Sequence, residues 1–499
     1  MLETLLRPAV LAPTVLVLAY IIRQRFFKKS ELPELPIIGV RKGDWFPLLQ
    51  AKWRNFLDFK AAVNEAYRLH KEQAVICPVL GMGNMIILPA SETQFVVDQP
   101  DRILNIHEHT IQSLQLDYTV MDPYLIHNPV HNKLIVTTLT NQIGNLVPDV
   151  SDETAWSFAQ HWGTDTTEWK EVCVYDTMRK VIGSVTNRVF VGLPTCRDPA
   201  LLDAGMAFAQ DIPLASQVLR VFWKPVRVVV APLVTLPNRI HTNRFYRLLK
   251  PEIERRLQEY DPRHKDPESK MATPNRNDFL QWSINQAKES GDPYMYHPKT
   301  LSGRVLSKQE YIAELRAEIS SVLAEHCGQW NKRALAKMHK LDSVLRESAR
   351  LNSFVTIGLS RLVVAEEGMT TPSGVRIPKG CVVSVHSYPV LQDPQVYPDA
   401  QQFQPFRFAE WRQDENVEDI KRARNAFATT SNCYLVFGHG RNACPGRFFA
   451  ANKLKLMLGH LAMNYDFDMQ ESRPRNMWFG LRRVPPMQAT IKVRRRERA

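Results

Sequence analysis

The chain has 499 residues, 44% of them apolar, which is enough to bury a large core and excludes a disordered segment. Its seven cysteines are odd in number, scattered and without a Cys-x-x-Cys pair, which argues against a disulfide framework or a zinc site and for a reducing compartment. The net charge of +13 suits an anionic lipid surface or an acidic protein partner, but no segment reads as a nucleic-acid module, so no nucleic-acid partner is expected.

In chain order, the first element is an uncharged, mostly apolar run from Pro8 to Ile22, followed directly by Arg23, Arg25, Lys28 and Lys29. The run is shorter than the ~20 residues of a straight membrane crossing. Leu5, Leu6, Phe26 and Phe27 extend it if Arg7 and Arg23 snorkel. The trailing cations place the downstream domain in the cytosol. A cleaved signal peptide is the rival reading, opposed by the lack of a charged leader before the run and of a small-residue cleavage site after it. Leu32-Pro33-Glu34-Leu35-Pro36 then reads as a stiff, non-helical hinge. No Gly/Ser linker, repeat or low-complexity tract divides the remainder, and no Asn-x-Ser/Thr sequon occurs.

Ser307-Lys308-Gln309-Glu310 is a capping box that starts a helix. Leu335 to Leu351 carries Met338, Leu341, Val344, Leu345 and Ala349 at helical period, and Glu347 and Arg350 share one face of it. Ser360–Val364 and Gly374–Val383 read as short strands bounded by Gly and Pro turns. The run Phe437-Gly438-His439-Gly440-Arg441-Asn442-Ala443-Cys444-Pro445-Gly446 carries the most chemistry. Its glycines allow a tight turn and close approach to a flat cofactor. Pro445 is expected at the first position of a helix running to Leu458, so Cys444 would stand at a helix N-terminus, where a thiolate is favoured.

By these residues the chain resembles the cytochrome P450 family, whose Phe-x-x-Gly-x-x-x-Cys-x-Gly signature is met at Phe437, Gly440, Cys444 and Gly446. The resemblance covers residues 32 to 493, strongest after 310 and weakest before 270. It implies a mainly α fold with small β-sheets (α+β): a transmembrane anchor over 1–30 and one heme-thiolate monooxygenase domain over 31–499. The implied cofactor is heme b, with Cys444 as axial metal ligand and Phe437, Gly438, Arg441, Asn442, Gly446 and Arg361 as cofactor-binding residues. Glu347, Arg350 and Arg407 would form a buried network that holds the cysteine loop.

Several positions depart from the family pattern. Phe406 stands where a Glu is frequent, and Asn442 stands where a charged heme-propionate donor is usual. The family's Trp-x-x-x-Arg is absent from the segment His127–Lys133, leaving His131 or Lys133 for a further propionate contact. The largest departure is the long central helix that carries an acid or amide beside a threonine for proton delivery, because no Ala-Gly-x-Asp-Thr run exists in the chain. Crossing a domain of ~45 Å takes roughly 30 residues at 1.5 Å rise, and about 25 of these are wanting near Leu306 and Ser307. A skipped exon, a reduced enzyme, and a heme-binding protein without turnover all accommodate this gap.

The resemblance further implies a hydrophobic substrate contacted from Leu104–Val120, Asp211–Phe222, Val355–Ile357 and the loop at Trp478 and Phe479. The last third is similar to fungal members of secondary metabolism, which suggests terpenoid-type substrates. Electrons are expected from NADPH through cytochrome P450 reductase, with Arg441, Arg447, Lys453 and Lys455 around the cysteine helix facing either an acidic partner or water. The implied location is the endoplasmic reticulum membrane, single-pass, with a cytosolic catalytic domain. Two functions are thus in play, a monooxygenase and a non-catalytic heme-binding pseudoenzyme.

Overall fold

A computed structural model describes residues 32–127, 134–259, 276–290, 297, 301, 329–353, 355–413, 424–468, 477–479 and 482–497. The anchor segment 1–30, His131 and Lys133, and the junction at Leu306 and Ser307 lie outside these residues.

The N-terminal part builds a sheet edge. Helices α1 (Pro47–Leu57) and α2 (Phe59–Leu69) are separated by Asp58, whose side chain accepts from the Ala61 amide at 3.0 Å and so starts α2. They pack on the hairpin of β1 (Val75–Val79) and β2 (Gly83–Leu88), which is apolar and almost wholly buried. Helix α3 (Thr93–Asp98), strand β3 (Leu104–Asn105) and helix α4 (Ile106–Leu114) follow. Asn105 caps α4 by accepting from the Glu108 amide.

The middle of the chain is helical. It contains α5 (Thr140–Trp162), strand β4 (Lys170–Cys173), α6 (Val174–Phe190), α7 (Pro199–Val221), α8 (Lys224–Val234), α9 (Leu236–Glu259) and α10 (Phe279–Glu289). Helices α11 (Lys332–Lys337) and α12 (His339–Leu351) come next. The continuous helix expected over Leu335–Leu351 is broken at Met338, whose ψ of 79° is not helical. Met338 is fully buried in the main core, so tertiary packing overrides local periodicity there.

Strands β5 (Ile357–Val363), β6 (Met369–Thr370), β7 (Arg376–Ile377) and β8 (Val382–His386) complete the sheets. The largest has the order β1-β2-β8-β5-β3, with β2 and β8 parallel and the other pairs antiparallel. In β5 the register shifts between Gly358 and Arg361, and Leu359 takes a φ of 52°. Such a bulge re-aims the side chains beyond it. Helices α13 (Arg407–Gln413) and α14 (Arg447–Asn464), strand β9 (Tyr465–Asp468), the β10 (Met477–Phe479) and β11 (Arg482–Val484) hairpin, and β12 (Thr490–Arg495) end the chain. Strands β4, β12 and β9 form a separate three-stranded sheet.

The main core lies among α5, α6, α9, α10, α12 and α14. Helix α14 is buried nearly all round, as expected of a helix with apolar residues on every face. At Gly459 a Cβ would stand 2.3 Å from the Trp330 ring, so glycine lets that indole close over the helix. A second core joins the sheet to α3 and to Leu435, next to the cysteine loop. The result is the mainly helical fold with small sheets that the sequence implies. Among the described residues, no helix is long and apolar enough to cross a membrane.

Candidate functional site

The cysteine loop is fixed by its own backbone. Gly438 N–H donates to Leu435 O at 2.9 Å, Ala443 N–H to Gly440 O at 3.1 Å, and Cys444 N–H to Phe437 O at 2.7 Å. Gly438 and Gly440 have φ values of 72° and 70°, a region that side-chain-bearing residues seldom enter. Gly440 is doubly constrained, because a Cβ there would meet Val97 Cγ1 of α3 at 2.3 Å. The Phe437 ring meets Phe427 edge-on at 5.2 Å, tying the loop to the segment before it.

Helix α14 starts at Arg447, two residues later than Pro445 suggests. The Cys444 carbonyl accepts from the Arg447 amide at 3.3 Å and from Arg447 Nη1 at 3.0 Å, so Pro445 and Gly446 form a turn ahead of the helix. The half-buried thiol therefore stands just before the helix N-terminus rather than on its cap. A Cβ on Gly446 would meet nothing within 4 Å.

The loop, α3 and β5 also gather polar atoms whose bonding capacity is not used. Arg361 is fully buried on β5 and donates from Nη1 to Val96 O at 2.6 Å. Its Nε and Nη2 have no partner among the described residues. Burial, and then the charge of Arg441 nearby, hold its pKa below the ordinary arginine value. Asn442 Nδ2 is likewise buried and unpartnered. A buried cation with two idle donors fits an anionic group lodged beside it, as the carboxylates of a heme would be. Arg441 is placed otherwise. It is exposed and binds Gln99 O at 2.6 Å and Asp101 at 3.1 Å, outside the ring of idle donors.

The structure brings Glu347, Arg350 and Arg407 together. Arg350 holds Glu347 in a two-point pair at 2.7 and 2.8 Å, and Arg407 Nε reaches Glu347 Oε1 at 3.3 Å. Glu347 and Arg350 are 0% exposed. Their remaining bonds do not go to the cysteine loop. Arg350 Nη1 donates to Leu391 O and Ala400 O at 2.6 and 2.7 Å, and Arg407 donates to the Pro398 and Asp399 carbonyls. The triad thus pins the irregular stretch from Leu391 to Gln404. Phe406, in place of the frequent Glu, carries Lys340 over its ring at 5.3 Å.

Two neighbours on the same helix, Asp342 and Arg346, hold the chain leading into the cysteine loop, and sequence reasoning missed both. Arg346 Nη1 donates to Ala426 O and Thr429 O at 2.6 and 2.7 Å, with its guanidinium 3.7 Å from the Tyr434 ring centre. Asp342 accepts from the Phe427 amide at 2.6 Å and pairs with Lys455 of α14 at 2.6 Å. The available signal was the spacing 342, 346, 347, 350, which puts four charges on one face of a helix whose other residues read as core.

Lys455 therefore meets neither a partner protein nor water. It is 7% exposed and also donates to Leu335 O, while Lys453, 2% exposed, donates to Thr186 Oγ1 at 3.0 Å. Their charge suggests surface cations, but α14 is enclosed on those sides by α6, α11 and α12.

A cavity of about 200 Å³ lies beside this framework. Its lining includes His109, Ser113 and Leu114 of α4, Pro213, Ser216, Gln217 and Arg220 of α7, and Val355, Thr356, Ile357 and Ser360. These come from three of the four segments expected to contact substrate. Phe56, Phe59, Val79, Leu80 and Met82 line it too, and nothing in the sequence points to them. Trp478 lies elsewhere, against Tyr388 at 5.3 Å and Lys60. Ser360 of the lining and the buried Arg361 are consecutive on the bulged strand, which places the cavity next to the idle donors.

Residues 300–488 match the family model described as Cytochrome P450. The chain is 30% identical over 506 residues to cytochrome P450 monooxygenase tenB of Beauveria bassiana, covering 94% of this chain and 93% of that protein. It is 28% identical over 525 residues to cytochrome P450 monooxygenase gloP of Glarea lozoyensis, covering 97% and 95%. Among solved structures, retinoic acid bound cyanobacterial CYP120A1 superposes with a TM-score of 0.59 at 18% identity, covering 93% of this chain and 99% of that one, a likeness of fold.

The buried Asp342–Lys455 pair makes a prediction. Asp342→Asn leaves Lys455 charged and unpaired in the interior and is expected to destabilise the protein by about 3 kcal/mol, read as a lower denaturant midpoint. Lys455→Met in that background should restore part of the loss. A single mutant within about 0.5 kcal/mol of the parent would rule out a structural role for the pair.

Proposed function

The chain belongs to the cytochrome P450 family and is a heme-thiolate monooxygenase by that membership, and we propose that Cys444 would hold the heme iron through its sulfur. The observation that carries this assignment is the pairing of a half-buried cysteine, in a loop turned by two positive-φ glycines, with the idle, buried donors of Arg361 and Asn442. In this reading Arg361 and Asn442 would bind the heme carboxylates, with Phe437, Gly438 and Gly446 as further cofactor-binding residues. Arg441 acts on them only at a distance, by adding positive potential behind Arg361. A thiolate-held heme supplies the electron density at iron that favours O–O cleavage.

The protein's own part is then to fix the sulfur, to compensate negative charge and to keep water from the reacting face. Backbone bonds at Cys444 fix the main chain from which its thiol is presented. The apolar walls Phe56, Phe59, Val79 and Val355 exclude water from the cavity, which we assign to a hydrophobic substrate of secondary metabolism, terpenoid-type by similarity of the last third. NADPH-cytochrome P450 reductase is the proposed electron donor, met by Arg441 and Arg447 without help from the two buried lysines.

Membrane attachment through residues 1–30, with the domain facing the cytosol at the endoplasmic reticulum, belongs to the same proposal. A second observation supports it. Trp45, Phe46, Trp53 and Leu57 at α1, and Val228, Val229 and Leu233 of α8, are large apolar side chains exposed to solvent. Helix α1 also contributes Phe56 to the cavity, and α7, directly before α8, contributes Arg220. The full chain should float with liposomes and lose most of that binding when 1–30 are deleted; equal flotation of the two would remove the anchor.

The non-catalytic alternative rests on the chain's lack of a distal acid–threonine run. The alignment with gloP extends over 525 positions against 499 residues here, which supports the reading that residues present in relatives are wanting in this chain. Sequencing the transcript across the codons for Leu306 and Ser307 discriminates. An additional in-frame segment bearing an acid next to a threonine favours the active monooxygenase, and a message matching this chain favours the heme protein without turnover.

Cys444→Ser is expected to abolish the red-shifted carbon-monoxide band of reduced thiolate-bound heme. Persistence of that band in the variant would falsify the ligand assignment.

A further inference from the structure

The loop that carries Cys444 contains a stretch with little local restraint. His439 stands between Gly438 and Gly440, whose φ values are 72° and 70°. Glycines on both sides give the backbone more freedom here than other residues would. Yet this stretch bears on the cysteine, because Gly440 O receives the Ala443 amide at 3.1 Å, one residue before Cys444. His439 is itself extended, at φ −152° and ψ 157°. Its side chain is held from outside the loop, with Nδ1 2.9 Å from Thr430 Oγ1. A hydroxyl both donates and accepts, so this bond forms with either tautomer of the imidazole. Burial keeps the His439 pKa below the ordinary histidine value, so the ring is neutral at physiological pH.

Thr430 is a firm post for that bond. Arg346 Nη1 of α12 donates to the carbonyls of Ala426 and Thr429 at 2.6 and 2.7 Å, and Asp342 accepts from the Phe427 amide at 2.6 Å. Ser431 and Tyr434 then exchange both backbone bonds, at 3.2 and 3.0 Å, closing a turn over Asn432 and Cys433. We infer that Thr430 and His439 form a latch that positions the cysteine loop. Thr430, fixed through its neighbours by α12, pins the side chain between the two glycines and so keeps the sulfur in place for iron. This rests on the reading of Cys444 as the ligand. Both are positioning residues, acting through Gly440 and Ala443 on the main chain of Cys444. Their bond is a second link from the same segment to the loop, separate from the ring contact of Phe427 with Phe437.

The test uses the full-length holoprotein, reduced and exposed to carbon monoxide. It reads the ratio of the blue-shifted band, which marks a lost thiolate, to the red-shifted band, which marks a retained one. Thr430→Val removes the hydroxyl and should raise that ratio about fivefold, the factor for a neutral hydrogen bond of about 1 kcal/mol. Thr430→Ser keeps the hydroxyl and should stay near the parent. His439→Leu should match Thr430→Val, and the double variant should add nothing further, because both changes remove one contact. Hydrogen exchange of the Ala443 amide, followed on the peptide that contains it, should quicken in the same variants. Phe245→Leu, a core substitution on α9, controls for general destabilisation. A parent-like ratio in Thr430→Val, an equal rise in Thr430→Ser or Phe245→Leu, or additive effects in the double variant overturns the latch. Absence of the red-shifted band in the parent instead removes the ligand reading, and hydrogen exchange then decides the latch by itself.

Discussion

A carboxylate with no access to water must be paired, and helix α12 carries two of them. Glu347 is satisfied by Arg350 and Arg407, and Asp342 by Lys455 and the Phe427 amide. Each pairing fixes a stretch of chain that has no regular secondary structure of its own. The Glu347 group orders Leu391–Gln404 through carbonyls, and the Asp342 group, with Arg346, orders Ala426–Tyr434. One helix thus anchors, by charge rather than by ladder hydrogen bonds, two irregular stretches, the second of which leads into the cysteine loop.

The division of labour follows from what each contact can transmit. Phe427 is held at its amide by Asp342 and packs its ring on Phe437, whose carbonyl receives the Cys444 amide. Position passes along this line from a buried ion pair to the sulfur through one backbone bond, one ring contact and a second backbone bond. On the other side, α3 presses Val97 against Gly440 and offers the Val96 carbonyl to Arg361. The loop is therefore clamped between the helical core and the sheet, and a side chain at Gly440 would open the clamp.

The strand that carries Arg361 also explains how two different chemistries lie close together. A regular strand alternates its side chains between faces. The bulge at Leu359 breaks that alternation, so that Ile357 and Ser360, three residues apart, both line the cavity, while Arg361 is buried against α3.

Much of this protein is legible in its sequence. The spacing of Phe437, Gly440, Cys444 and Gly446 and the pair Glu347 and Arg350 are read from local chemistry, because a turn needs its glycines and a helix puts i and i+3 on one face. The partner Arg407 and the mainly helical domain with small sheets follow from the resemblance to the family. What a helix face meets was not legible, since a helical lysine reads the same whether water or Asp342 lies opposite. Only the tertiary structure decided that Lys453 and Lys455 are interior, that Met338 interrupts a helix, and that Arg441 faces outward to Asp101. It likewise decided that Asp342 and Arg346, not the Glu347 triad, hold the approach to Cys444. Burial and pairing are properties of the surrounding elements, which come from distant parts of the chain and leave no mark on the residues between them.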